Sequence, residues 1–355
     1  MKSNTIIAGF GSYIPKKELK NTDFLSHDFY DEKGEKLPYD NETIITKFNA
    51  ITGIEARRYA EDGEINSDLG TKAAQDVLAK TGIDPETLDY IIYAHNFGDI
   101  KQNGDQGDMM PSLASRVKHN LKIKNPNCVA YDMIFGCPGW LESLIQANIF
   151  IKAGEANRCL VIGGETLGRT VDKHDRDAMI YADGAGACIL ESSNQSDKGL
   201  LSHASQTFTL EEAHYLYYGE TYHPTVKDDK KYIKMFGRKI YEFALNNVPN
   251  AMKMALDKSG YGISDIKKIF IHQANEKMDE QIVKRFYRLF KEKMPEGIMP
   301  MSIHQLGNSS VATIPTLIDS VQQGMLENQE INEGDVVMFA SVGAGMNINA
   351  VVYKF

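Results

Sequence analysis

Residues 131–154 read "YDMIFGCPGWLESLIQANIFIKAG" and predict a strand, a sharp turn and a long amphipathic helix. Cys137 lies at the turn, with Gly136 before it and Pro138 and Gly139 after it. A thiol at the N-terminus of a buried helix meets unpaired backbone N–H groups and the positive end of the helix dipole, and both favour the thiolate. Because the thiolate is the nucleophilic form of cysteine, the stretch predicts a catalytic nucleophile. The alternative is a small buried side chain that only packs at a tight turn.

The same alternation of short apolar runs and helical patterns continues along the chain. The predicted strands are residues 4–11, 89–95, 127–134, 158–165, 186–192, 267–273 and 335–343, and residues 67–82 and 238–260 are predicted helices. Strands that alternate with helices in this way are typical of α/β proteins. We therefore expect an α/β fold whose strands are buried and mostly parallel.

The second half of the sequence echoes the first. Residues 77–94 align with 255–272, each a helix end, a Lys-Thr/Ser-Gly step, a loop and a strand. Residues 136–154 align with 307–324, each a turn of small residues that opens a helix ending at glycine. Two echoes in the same order favour an internal duplication, with halves at 1–195 and 196–355.

Composition and charge are those of an ordinary soluble protein. Hydrophobic residues make up 42% of the 355 residues and charged residues 25%, which is typical of a globular chain with ample core material. A net charge of −9 argues against nucleic-acid binding. Two lysine-rich runs, residues 116–124 and 227–239, are candidates for binding an acidic protein partner, although such runs are more often solvated surface.

The cysteines and the apolar runs indicate the compartment. The four cysteines (Cys128, Cys137, Cys159 and Cys188) form no CxxC pair. A chain of this length needs no disulfide bonds, so we expect the reducing cytoplasm. No signal-peptide pattern and no apolar run of about 18 residues appears, so no membrane association is expected. Neither a metal motif nor a GxxxxGK[ST] loop appears, and we expect no cofactor.

Two further polar residues lie where a catalytic site would place them. His272 follows the apolar run "KKIFI", at the end of a strand where α/β sheets place their ligands. Asn308 follows Gly307 and precedes Ser309 and Ser310 in "QLGNSS". A satisfied core histidine and a helix N-cap are the alternatives. In a duplicated protein, both residues would meet Cys137 at the interface between the halves.

Several motifs in this order resemble one family. They are "GFGSYIPKKEL", "ITGIEARRYA", the turn at Cys137, "YADGAGACILE", "HQAN", "GNSSVATIP" and the C-terminal "GDVVMFASVGAGMNINAVVYKF". The chain resembles a β-ketoacyl-acyl-carrier-protein synthase of type III, within the thiolase superfamily. The resemblance implies a thiolase-like five-layer αβαβα fold built from two similar halves. It also implies a homodimer.

The resemblance assigns roles to the catalytic residues. Cys137 would take an acyl group from a thioester, and His272 and Asn308 would stabilise the enolate formed when malonyl thioester loses CO2. The N–H group of Cys137 and that of Ala344, within Gly343–Gly345, would form a second oxyanion hole. Elongating relatives use two histidines, so the His/Asn pair favours the initiating type.

The acyl donor is the point at which the sequence departs from the family. The family stacks the adenine of coenzyme A between a tryptophan and an arginine, and this chain has Lys47 and Ile51 at those positions. The second family arginine is present as Arg176. The partners implied are an acyl carrier protein and an acyl thioester such as acyl-CoA, and the missing clamp favours the carrier protein as donor.

Three more residues carry roles by resemblance. Asn275 and Lys277, in and after the HQAN motif, are expected to bind substrate or carrier protein. Met110 is expected to cross a dimer interface and to close the neighbour's acyl pocket, where a flexible methionine would admit a longer or branched chain.

Two other functions stay open from the sequence. One is a condensing or acyl-transferring enzyme of specialised metabolism with the same triad, such as a polyketide or alkylresorcinol-type synthase. The other is a Cys-His-Asn hydrolase of thioesters.

Overall fold

The computed structural model describes residues 4–194, 197–227 and 229–355. The strands are β1 (Asn4–Tyr13), β2 (Lys17–Lys20), β3 (Ala56–Tyr59), β4 (Tyr90–Ala94), β5 (Val129–Met133), β6 (Arg158–Thr166), β7 (Asp183–Ser193), β8 (Gly199–Thr207), β9 (Leu216–Gly219), β10 (Tyr232–Met235), β11 (Ile266–Ile271), β12 (Val336–Gly343) and β13 (Asn347–Lys354). The α-helices are α1 (Asn41–Thr52), α2 (Asn66–Thr81), α3 (Leu113–Asn120), α4 (Gly139–Ala153), α5 (Gly237–Ser259), α6 (Glu276–Arg288), α7 (Ile303–Leu306) and α8 (Thr313–Gln322).

Two mixed sheets form the framework. Their strand orders are β1-β7-β6-β4-β5 and β11-β12-β13-β8. Among the described strands of these two sheets, three neighbouring pairs are parallel (β4–β5, β4–β6 and β11–β12) and four are antiparallel. The expectation of mostly parallel strands is therefore wrong. Three residues join β12 to β13, and so short a connection can only return the chain antiparallel.

The helices complete five layers. α2 and α3 pack on the outer face of the first sheet, and α5 and α6 pack on the outer face of the second. α4 and α8 lie between the sheets, in a core that contains Trp140, Leu317 and Phe339. α4 is apolar on most of its surface, as expected of a helix that is covered on both sides. The chain thus has the predicted αβαβα architecture.

The two halves repeat the same strand pairings. β1-β7-β6-β4 and β8-β13-β12-β11 follow the same order with the same directions. Gly82 and Gly260, both left-handed, end α2 and α5, and each is followed by a 3₁₀ turn and a strand. The duplication stays a prediction, since its boundary at 195–196 lies outside the described residues.

The described residues also bear on the cysteines and on membranes. All four cysteines are free thiols; Cys128, Cys159 and Cys188 are buried and Cys137 is half-buried. Within these residues no helix has the length and apolar character needed to cross a membrane. Likewise no group of three His, Cys, Asp or Glu side chains in the described ranges is placed to hold a metal ion.

Candidate active site

Cys137 lies on a turn that packs directly against the β12–β13 connection. Gly136 has φ +66°, which favours glycine, and a Cβ there would lie 2.7 Å from the backbone nitrogen of Ala344. A Cβ on Gly343 would lie 2.5 Å from the backbone nitrogen of Cys137. The two glycines therefore let the two backbones approach, and α4 begins two residues after Cys137.

His272 follows β11 directly and is buried. Its backbone N–H donates to the carbonyl of Ala340 at 2.8 Å. The next residue, Gln273, is also buried, and its side chain donates to Pro300 O at 2.9 Å and accepts from Ser302 N–H at 2.9 Å. These contacts on both sides hold His272 at the end of the strand.

Asn308 is held by its backbone and by one side-chain bond. Its N–H donates to Ile180 O at 2.9 Å, and its carbonyl accepts from Ala182 N–H at 2.8 Å. Its side-chain oxygen accepts from Ser310 N–H at 2.8 Å. Because the oxygen is used in this way, the NH2 group is the part of the side chain left to donate. Asn308 lies five residues before α8, so it is not the N-cap of that helix.

Cys137, His272 and Asn308 line one cavity of about 510 Å³, together with Gly343. A second cavity of about 240 Å³ also reaches Cys137. Its other walls are Asn96, Phe97, Gly136, Leu167, Tyr181, Leu216, Tyr217, Tyr218, Ile233, Ser310 and Ala344. Most of these side chains are aromatic or aliphatic. The thiol therefore lies between a larger cavity that contains the other two residues of the triad and a smaller, largely apolar one.

Burial controls the ionisation of the triad. It raises the pKa of the Cys137 thiol to about 11, although a hydrogen bond with the Ser310 side chain lowers it. Desolvation therefore acts against the thiolate that the helix N-terminus is expected to favour. Burial also lowers the pKa of His272 to about 4, against a hydrogen bond with the Ser310 backbone that raises it. At neutral pH His272 is thus an uncharged imidazole.

Comparison with known proteins identifies the family. The family described as 3-oxoacyl-[acyl-carrier-protein] synthase III matches residues 131–207, and its C-terminal part matches residues 256–355. A beta-ketoacyl-[acyl-carrier-protein] synthase III of Streptococcus sanguinis is 31% identical over 346 residues, 96% of both chains. One of Ruegeria pomeroyi is 30% identical over the whole of both chains. The chain belongs to the beta-ketoacyl-[acyl-carrier-protein] synthase III family.

A solved structure supports the same assignment. The synthase III of Thermus thermophilus superposes with a TM-score of 0.80, at 29% identity over 99% of each chain. The predicted family and the thiolase-like fold are thereby confirmed. The chain is a condensing enzyme of the acyltransferase type.

The predicted oxyanion and binding residues lie in different places around the cavities. Gly343 lines the larger cavity and Ala344 the smaller one, while Gly345 turns the chain with φ +76°. Arg176 lines the larger cavity, is more than half exposed, and lies 3.6 Å from the Asp177 carboxylate. Asn275 lines the same cavity, and its side chain also caps α6 by accepting from Met278 N–H at 3.0 Å.

Two predicted binding residues line neither of the two cavities that reach Cys137. Lys277 is exposed in the first turn of α6, and Met110 is 88% exposed, next to Pro111. At the positions of the missing clamp, Lys47 places its Nζ 3.4 Å from the centre of the Tyr39 ring, and Ile51 lies in the wall of the larger cavity.

A polar network that the sequence did not predict lies beside the thiol. Asn96 donates from Nδ2 to the Ser310 hydroxyl at 3.2 Å and also to the Glu165 carboxylate. Burial raises the pKa of Glu165 well above its ordinary value. Ser310 thus contacts Asn96, Asn308 and Cys137. The quoted "GNSS" motif contains Ser310, but no sequence pattern connects it with Asn96, which follows β4, or with Glu165, which lies in β6.

Proposed function

We propose that this enzyme initiates acyl chains: Cys137 takes an acyl group from a thioester, and malonyl-acyl-carrier protein then condenses with it to give a β-ketoacyl-carrier protein and CO2. One observation carries the proposal. Cys137 is in the wall of both cavities, whereas His272 and Asn308 are in the wall of the larger one only. An acyl group on the thiol therefore has the apolar cavity for its chain, and the larger cavity stays free for the malonyl thioester.

In the loading step, Cys137 Sγ attacks the carbonyl carbon of the donor thioester. The new C–S bond forms as the donor's C–S bond breaks, and the thiol proton leaves with the donor thiolate. The negative charge on the carbonyl oxygen in the intermediate needs hydrogen-bond donors. The N–H groups of Cys137 and Ala344 are proposed for this role, since the Gly136 and Gly343 contacts hold these two backbone segments together.

In the condensation step, the malonyl carboxylate leaves as CO2 and its electron pair passes into the thioester enolate. His272 and the Asn308 NH2 group donate to the enolate oxygen. A neutral imidazole suits this role, because it keeps an N–H group to donate without protonating the carbanion, as an imidazolium would. The carbanion then attacks the acyl carbonyl, the bond to Cys137 breaks with its electron pair on Sγ, and the thiolate takes up a proton from solvent to restore the thiol.

We propose a carrier protein as the acyl donor. The Lys47 ammonium is engaged on the Tyr39 ring, and Ile51 supplies no planar cation for an adenine to stack on. A phosphopantetheine arm needs only the cavity, whereas coenzyme A also needs its nucleotide bound outside it. We further propose a homodimer in the cytoplasm. In the single chain Met110 is 88% exposed beside Met109, which is 49% exposed, and neighbouring exposed apolar side chains suit contact with a partner subunit.

Intact-protein mass spectrometry tests the proposal. The enzyme is exposed to acyl-CoA and acyl-carrier-protein donors of graded length, with Cys137→Ala as the control, and malonyl-carrier protein is then added. We expect an acyl adduct on Cys137 that leaves as a product two carbons longer. An adduct that malonyl thioester does not discharge would favour the specialised acyltransferase, and release of free acid would favour the hydrolase. No adduct from any donor would contradict the role of Cys137.

A further inference from the structure

The β9–β10 hairpin forms part of the wall of both cavities. Within the described residues it is a separate two-stranded sheet, with no strand pairing to either main sheet. Leu216 lines both cavities and Met235 lines the larger one. The smaller cavity is also lined by Tyr217, Tyr218 and Ile233. A two-stranded hairpin is marginally stable by itself. Its contacts with the rest of the protein therefore determine where these side chains lie.

Lys234 makes the buried ionic contacts of the hairpin. Its side chain is fully buried, and Nζ lies 2.7 Å from Asp172 Oδ2 and 3.1 Å from Asp175 Oδ2. Nζ also lies 3.2 Å from the centre of the Tyr222 ring. Asp172 in turn accepts from Tyr222 N–H at 2.7 Å and from the Thr221 hydroxyl at 3.0 Å. The ammonium therefore has two carboxylates and an aromatic face as its surroundings.

The two aspartates connect the hairpin to another wall of the larger cavity. Asp175 also accepts from Asp177 N–H at 3.0 Å and so caps the 3₁₀ turn that begins at Arg176. Arg176 and Asp177 both line the larger cavity. One buried ion cluster thus joins a wall made by the hairpin to a wall made by residues 172–177.

A buried ion cluster is an unusual way to attach a hairpin. Replacing such a cluster by apolar side chains of similar size is often neutral or stabilising, because desolvation offsets the attraction of the charges. The cluster instead fixes the position of the hairpin. If the hairpin slid along residues 172–177, the buried Lys234 ammonium would lose its carboxylates and the charges would be left unpaired. An apolar contact tolerates sliding far better.

We propose that Lys234 is a positioning residue that sets the distance between the β9–β10 hairpin and residues 172–177, and through it the acyl groups that the enzyme accepts. The selectivity part of this inference rests on the proposed function. The positional part does not, since it concerns only how the hairpin is held.

The test compares Lys234→Met with Lys231→Met. Lys231 lies directly before β10 of the same hairpin but pairs with Glu220 on the surface, at 2.8 Å. Hydrogen exchange of residues 216–219 and 232–235 is measured by mass spectrometry. We expect exchange to be about tenfold faster in Lys234→Met than in Lys231→Met, since local opening no longer breaks the ion cluster.

Kinetics of the same variants supply the second measurement. For Lys234→Met we expect the KM for the acyl donor to rise about fivefold with kcat little changed. A displaced cavity wall weakens binding of the acyl chain equally in the ground state and in the transition state. The ratio of kcat/KM between short and long acyl donors should also move closer to one. A merely structural role would lower the amount of folded enzyme and leave both KM and the preference unchanged.

The outcomes separate the two proposals. Unchanged exchange in the hairpin would overturn the positional role of Lys234, and faster exchange with unchanged KM and preference would overturn its role in selecting the acyl group. If Lys234→Met does not fold, Asp175→Asn is measured by the same criteria, since it keeps the cap of the 3₁₀ turn and one carboxylate. Failure of wild-type Cys137 to form an adduct would contradict the proposed function, and the exchange result would still decide the positional role.

Discussion

Gly343 packs against the backbone of Cys137 with no room for a Cβ, so Gly343→Ala tests directly whether catalysis depends on this contact. Gly343 has φ −166°, an extended conformation that any residue adopts, so the substitution introduces no backbone strain of its own. The added Cβ would lie 2.5 Å from Cys137 N, 2.7 Å from Pro138 Cδ and 2.8 Å from Cys137 Cβ. None of these atoms can rotate away. The methyl group must therefore push the Cys137 turn and the β12–β13 connection apart.

The size of the effect follows from these distances. Ordinary contacts begin at 3.4 Å, so the gap to Cys137 N must open by roughly 0.9 Å. A misplacement of about 1 Å at a reacting group costs about 10²-fold in rate, and loss of one oxyanion donor costs about 10²- to 10³-fold. We expect kcat to fall about 10²-fold, with a loss of about 1–3 kcal/mol in the free energy of unfolding from overpacking.

The assay measures the rate of Cys137 acylation and the rate of condensation at saturating substrates, with chemical denaturation in parallel. Gly262→Ala is the control, because the nearest atom to its Cβ would lie 3.6 Å away. We expect that variant to behave as wild type in all three measurements. A folded Gly343→Ala enzyme with kcat within about threefold of wild type would refute the reasoning, since the oxyanion hole would then tolerate the displacement.

Three further predictions concern the thiol and the smaller cavity. Because the pKa of Cys137 is raised to about 11 by burial, alkylation by iodoacetamide should accelerate about tenfold per pH unit between roughly pH 7 and pH 9; a plateau below about pH 8 would contradict this. Ser310→Ala should raise that pKa further and slow alkylation at a fixed pH by about threefold to tenfold, whereas Ser309→Ala, whose hydroxyl contacts Thr313, should leave the rate unchanged. Phe97→Ala removes a side chain that lines the smaller cavity and packs on Tyr218 at 5.2 Å between ring centres; the ratio of kcat/KM for long over short donors should increase, and an unchanged ratio would show that Phe97 does not limit the chain.

The elements of the fold were predictable where their signals are local. Residues 158–165 were predicted as a strand, and β6 is Arg158–Thr166. The helix predicted at 67–82 is Asn66–Thr81, and it ends because Gly82 adopts a left-handed conformation that other residues rarely adopt. Apolar runs and glycine caps act within a few residues, so a single sequence contains the information.

Strand direction and the β9–β10 hairpin were not predictable in the same way. Direction depends on how the chain returns to the sheet, which apolar periodicity does not record. The lysine-rich run 227–239 was interpreted as a surface patch, with residue 228 outside the described part. Lys234 of that run is fully buried between Asp172 and Asp175, more than fifty residues earlier in the chain.

The sequence by itself determined the α/β class, the family and the three residue types of the triad, because each depends on short motifs and their order. Only the tertiary structure placed Cys137 between two cavities and brought Asn96 to Ser310. It also revealed an effect that opposes one chemical expectation. The helix N-terminus is a local feature and favours thiolate, whereas desolvation depends on everything that surrounds the thiol, and here it raises the pKa of Cys137 to about 11.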